Sequence, residues 1–192
     1  SALLAVISFP PFHLLIPSFV ALVPLAVWVA DQSDGRDTLG GSGRRRDASE
    51  REASDGDVSG RVFRGGVWFG VLYFGLLLYW MPLALAAFTW WAVPAYLTVV
   101  MVQALGAGGF TWALHRLTHR GGIPLWAALP LTWTALEWMR AHAPGGVAFP
   151  WLGLGTSLTG YPELVGAAEL VGARGITLWL ALLNGLIAEG VR

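Results

Sequence analysis

Residues 66–88 read GVWFGVLYFGLLLYWMPLALAAF, 23 residues without a single charge. At ~1.5 Å of rise per residue, a helix of this length covers the ~30 Å hydrocarbon core of a bilayer. A helix at the surface of a soluble protein keeps a polar face, and this one has none. The stretch therefore predicts one membrane-spanning helix. Similar runs recur at 14–30, 94–114, 123–140 and 172–189. Residues 2–8 form an apolar stub, too short to cross. The pair Pro10-Pro11 ends that stub, because proline removes a helix donor and restricts the residue before it.

Composition agrees. The chain is 55% hydrophobic and 12% charged, where a soluble domain carries about 25% charged residues. Uninterrupted apolar runs exclude the alternation of a transmembrane barrel, so backbone groups in lipid are satisfied within helices. The expected fold is all-α: a polytopic transmembrane helical bundle with about five full spans plus a truncated N-terminal helix. Residues 1–192 form one transmembrane domain, read as a fragment because Ser1 opens inside a helix.

Residues 31–64 are a different material, Gly, Ser, Asp and Arg with almost nothing to bury. Such composition predicts a disordered cytoplasmic loop within the domain. Its RRR run at 44–46 lies among acidic residues and reads as solvated surface, not a nucleic-acid patch. Ten of the 12 basic residues, all Arg, fall in 31–65, in the short loop 115–122 and at Arg192. The positive-inside rule places these segments in the cytoplasm. Five alternating spans then put 142–163 on the exterior, periplasmic side.

The chain contains no Cys and no Lys. Disulfides, thiolate metal sites and Cys or Lys chemistry are absent from it. His115 and His119 have the four-residue spacing of helical zinc ligands. Arg116 stands where a zinc-protease motif needs Glu, and two cationic neighbours oppose a metal. No metal and no cofactor are expected.

The 123–140 span holds more chemistry. Trp133, Glu137 and Arg140 are spaced i, i+4, i+7 and share a helix face. Ionisable groups in a span are costly and mark function. Two readings stand: an interfacial Glu137–Arg140 ion pair, or contact with a ligand. Gln103 and Asn184 lie deeper, and each reads as a hydrogen-bonding bridge between helices. The loop segment AFPWLGLGTS (148–157) is uncharged. Its Phe149, Pro150 and Trp151 suit either an interfacial turn or a rigid wedge that grips an acyl chain. Gly153 and Gly155 permit close approach.

Taken together, ALEWMR (135–140), FPWLGLGTS (149–157), GARG (172–175) and Asn184 resemble the apolipoprotein N-acyltransferase family. SFPPF (8–12) is similar to that family's first periplasmic turn, and GVWFGVLYFGLLLYW (66–80) to its third helix. The likeness covers almost the whole chain except 31–64. It implies a multi-pass bacterial inner-membrane protein. It also implies transfer of an acyl chain from a phospholipid donor to the N-terminal amine of a lipoprotein acceptor. In the family a nitrilase-like domain behind the helices supplies a Glu-Lys-Cys triad. With no Cys or Lys, the resemblance implies no catalytic residue in this chain and no activity by it alone. It casts Trp133, Glu137, Arg140, Phe149, Pro150, Trp151 and Gly155 as lipid- or substrate-binding candidates. Trp151 matches a family tryptophan implicated in substrate engagement. Two alternatives remain: a non-catalytic anchor of a polyprenol-phosphate mannosyltransferase system, and an unrelated small transporter.

Overall fold

A computed structural model of the chain describes residues 1–10, 12, 14–32, 48–144 and 148–192, with side chains from residue 56 onward in the segment that begins at 48. The described residues form eight α-helices and short 3-10 turns, with no strand among them. The helices are α1 (Ala2–Ile7), α2 (Leu15–Val20), α3 (Val23–Asp31) and α4 (Ala48–Leu77), then α5 (Trp80–Leu85), α6 (Ala92–His119), α7 (Leu125–His142) and α8 (Ala168–Val191). The expected all-α architecture is what the chain adopts.

Three segments differ from the sequence reading, and proline explains two of them. The 66–88 run is not one helix. It stops at Leu77 and restarts as α5, because Pro82 offers no N–H to the carbonyl of Leu78 and its ring crowds that carbonyl. The 14–30 run is likewise split between α2 and α3, with Pro24 in the first turn of α3. The break is repaired from outside. Leu22 N–H donates to Asn184 Oδ1 (2.9 Å), and Asn184 Nδ2 donates to the Ser18 carbonyl (3.1 Å). Asn184 thus bridges helices, as its type in a span predicts.

The third difference concerns 31–64. Residues 33–47, including the 44–46 Arg run, lie outside the described residues. From Ala48 onward the charged stretch is helical and continuous with the apolar part of α4. Val58 and Val62 are buried. Within the expected loop, the described residues from 48 onward are thus helix. The apolar i, i+4 pair Val58 and Val62, with Phe63 against Gly108, packs this part of α4 onto α6.

α4 and α6 make the most extensive helix pair. A Cβ placed on Gly70 would stand 2.6 Å from Ala104 Cα, and one on Gly108 2.7 Å from Val67. The two backbones approach this closely only because those side chains are missing. Gly66 and Gly70 form a G-x-x-x-G pair, the sequence signal for such membrane-helix packing. Thr111 Oγ1 donates to the Val62 carbonyl (3.0 Å) and Tyr96 Oη to the Gly75 carbonyl (2.8 Å). The pairing is therefore antiparallel.

Contacts also sort the two ends of the bundle. Leu125 N–H donates to Glu189 Oε2 (2.8 Å), joining the start of α7 to the end of α8. The Val62–Thr111 bond sets the charged part of α4 near the end of α6. The arginine-rich segments 58–64, 115–122 and Arg192 thus share one end. The loops 86–91 and 148–163 occupy the other. Two described helices, Ala92–His119 and Ala168–Val191, are long and apolar enough to cross a membrane. Large apolar side chains such as Trp68, Leu72, Leu97, Leu131 and Leu186 are exposed on the bundle surface.

Candidate functional site

The site grows from the last two turns of α7. Trp133, Glu137 and Arg140 do share a face, and it points inward. They are 1%, 8% and 6% exposed. Trp133 is held by Phe110, edge-on at 5.1 Å between ring centres, and by Phe69 and Tyr73. Its Nε1 donates to Glu137 Oε1 (2.8 Å).

Glu137 does not ion-pair with Arg140; the interfacial ion pair considered from the spacing is not formed. Instead each residue grips a different point of the following loop. Glu137 Oε1 also accepts the Leu154 N–H (2.6 Å), and Oε2 accepts from Thr177 Oγ1 on α8 (2.9 Å). Thr177 Oγ1 in turn accepts the Gly155 N–H (2.9 Å). Arg140 Nη2 donates to the Trp151 carbonyl (2.7 Å), and the Arg140 carbonyl accepts the Phe149 N–H (2.7 Å). The guanidinium lies over the Phe74 ring at 4.7 Å, a cation–π contact. Residues 149–155 are therefore tied down at four successive points.

The glycines of this segment serve the clamp. A Cβ on Gly153 would stand 3.0 Å from Glu137 Oε2, and one on Gly155 2.5 Å from the Ala173 carbonyl. Leu152 holds φ = 62°, a conformation costly for a residue with a Cβ. Strain of this kind persists where surrounding contacts over-determine the backbone. At Leu154–Leu158 the chain turns into a buried 3-10 turn, where Ser157 Oγ donates to Ser18 Oγ (3.0 Å).

The aromatic residues remain outside the clamp. Trp151 is 58% exposed and Pro150 is exposed, with Phe149 half-buried 5.5 Å from the Trp151 ring. Three cavities meet on this short segment. Pro150 and Trp151 border a polar pocket of about 110 Å³ with Glu137, Arg140, Arg174 and Thr177. Phe149 also lines an apolar groove of about 430 Å³ against Trp91, Val99 and Gln103 of the α6 end. Leu152 lines another, of about 580 Å³, with Phe9 and Leu77.

All seven candidates from the sequence thus gather at one place. Sequence reasoning did not single out Thr177 or Arg174. A Thr in an apolar span and an Arg at its edge carry no local signal of partnership. Gln103 is a correction. It is buried, but its Nε2 has no hydrogen-bond partner, so it does not bridge helices. It borders the apolar groove instead.

Comparison with known proteins identifies the family. The sequence model of the apolipoprotein N-acyltransferase N-terminal domain matches residues 51–186. Over 112 residues, 58% of this chain and 20% of the relative, the chain is 36% identical to an apolipoprotein N-acyltransferase of Vibrio vulnificus (strain CMCP6). It is 28% identical over 120 residues to one of Geobacter metallireducens, covering 60% of this chain and 22% of that protein. The chain spans about a fifth of the length of these curated relatives.

Proposed function

We propose, from the premise that this chain belongs to the apolipoprotein N-acyltransferase N-terminal domain family, that it is the membrane part of an acyl-transfer enzyme of lipoprotein biosynthesis. It seats a phospholipid acyl donor and a lipoprotein acceptor. Its polypeptide carries no Cys and no Lys, so a nucleophile of the family's type must come from elsewhere in the functional enzyme, and the chain alone is inactive. It sits in the bacterial inner membrane as one transmembrane domain of five crossings: α2–α3, α4, α6, α7 and α8. The arginine-rich end faces the cytoplasm and the 142–163 loop the periplasm. The sharing of one bundle end by the arginine-rich segments supports this orientation.

One observation carries the reading: the backbone of 149–155 is fixed by Glu137 and Arg140 while Trp151 stays exposed and its neighbours Phe149 and Leu152 each line an apolar groove. A turn that merely joins two helices has no need of a buried acid and base to hold it. A fixed backbone with a free aromatic side chain suits a wedge that meets an acyl chain leaving the bilayer.

The test is Trp151→Ala in the full-length enzyme, assayed for acyl transfer to a diacylglyceryl-cysteine peptide. An exposed side chain contributes little stability, within ~0.5 kcal/mol, so protein yield is expected to hold. Loss of an aromatic contact in the transition state, at 1.36 kcal/mol per decade, lowers the rate about ten- to a hundredfold. Trp126→Ala, at the opposite end of the bundle, is the control. Normal transfer by Trp151→Ala would leave the segment as a turn and nothing more.

A further inference from the structure

We infer that the polar pocket between the end of α7 and α8 is a phosphate-binding subsite, with Arg140 and Arg174 as its two cations. Arg140 is 6% exposed, yet its Nε and Nη1 have no hydrogen-bond partner. Arg174 borders the same pocket, and its Nη1 is also buried and unpartnered. Buried guanidinium donors without acceptors are expensive. Two at one cavity suit an anion as their common acceptor.

The charge balance favours an anion. Glu137 is the sole acid among the residues that border the pocket, and its oxygens already accept three hydrogen bonds. Two arginines against one carboxylate leave a net positive charge. The helix α8 is interrupted at Gly172, at φ 69° and ψ 174°. The long part of α8 therefore restarts beside the pocket, and the positive end of its dipole adds to the field. The volume of about 110 Å³ is well above the ~10–15 Å³ that holds one water. Guanidinium forks match the oxygens of a phosphate group.

The surroundings favour a lipid as the source of the phosphate. Apolar grooves of about 430 and 580 Å³ border the same clamped segment, one lined by Phe149, which also borders the pocket, and the other by Leu152. A diacyl phosphate ester has this layout, a compact anion joined to two chains. The choice of a lipid over free phosphate rests on the proposed function; the anion chemistry does not.

Equilibrium binding to the full chain in neutral detergent micelles tests this, with three probes: dihexanoyl phosphatidylglycerol, dihexanoylglycerol and inorganic phosphate. Arg174→Gln is the deciding variant, because Arg174 holds no part of the loop clamp, while Arg140 does. Phosphatidylglycerol should bind about tenfold more weakly to Arg174→Gln, as befits one charge-assisted contact at a partly exposed site. Arg174→Lys should recover part of the loss, and dihexanoylglycerol should not respond to either change. Inorganic phosphate binding as tightly, with the same Arg174 dependence, would support the anion site and assign it to free phosphate. Phosphatidylglycerol affinity unchanged in a folded Arg174→Gln protein overturns the inference, as does equal Arg174 dependence for dihexanoylglycerol. Arg174-dependent binding without any acyl transfer in the full-length enzyme would keep the subsite and defeat the acyltransferase reading. Transfer without such binding would do the reverse.

Discussion

Glu137 offers the sharpest test of the clamp, because its two oxygens carry unequal loads. Oε1 accepts two N–H groups, from Trp133 and Leu154, while Oε2 accepts only the Thr177 hydroxyl. Glu137→Ala removes both acceptor oxygens, with three hydrogen bonds, and leaves two buried N–H groups unpaired. Each such orphan costs ~1–3 kcal/mol, so the total loss should be about 3–5 kcal/mol. Glu137→Gln keeps the shape and one carbonyl oxygen. That oxygen takes both N–H groups, and the new amide donates to Thr177 Oγ1 once its hydroxyl rotates away. The expected cost is about 1 kcal/mol or less, near the ~0.6 kcal/mol average of hydrogen bonds within membranes. Unfolding free energies from detergent-to-SDS titration, followed by tryptophan fluorescence, separate the two variants. Equal losses for Gln and Ala would refute the reasoning, since the carboxylate would then act through its charge and not through acceptor geometry. A harmless Glu137→Ala would mean that residues 149–155 are not held from α7 at all.

The other predictions concern the frame. Gly70→Val should destabilise the chain by about 1–3 kcal/mol through overpacking against Ala104. Gly190→Ala, with open space around its Cα, should be neutral or slightly stabilising in the same titration. In this cysteine-free chain, Asp57→Cys and Gly160→Cys should label from opposite sides of the membrane with an impermeant maleimide; labelling of both from outside intact cells would reject the topology. Replacing 33–47 with a Gly/Ser linker that retains a few Arg should leave the folded yield unchanged. Extending the replacement through 62 should lower it, because Val58 and Val62 are buried and the Val62 carbonyl accepts from Thr111.

The sequence made the helical class plain, because long uncharged runs admit few other solutions in lipid. It made the helix breaks less plain. Pro82 and Pro24 were visible, yet hydropathy alone joined the pieces they divide. Proline acts on one hydrogen bond, whereas a hydropathy window averages over many residues. The docking of 58–64 was hidden for the opposite reason. Val58, Val62 and Phe63 carry the contact there, and three residues barely move a composition dominated by Asp, Arg and Ser. At the site, helical periodicity correctly set Trp133, Glu137 and Arg140 on one face. It could not tell that Glu137 and Arg140 would part, since their partners are a backbone N–H and a carbonyl, which every residue offers. Thr177 and Arg174 reach the site only through tertiary packing of α8.

The separation of Glu137 from Arg140 gives the site its use. Had the two paired, their hydrogen-bonding capacity would have been taken up by each other, and the loop would have been tied by its own turn alone. Apart, they hold the segment at Trp151 and at Leu154, on both sides of the strained Leu152. Strain between two fixed points can be kept, whereas strain beside a free end relaxes. The backbone is thereby held in the geometry that turns Leu152 toward one groove and Phe149 toward the other. Arg140 gives a single Nη2 to this task and keeps Nε and Nη1 in reserve. The residue that fixes the loop therefore also holds donors for a ligand, so filling the pocket and stiffening the wedge are linked through one guanidinium.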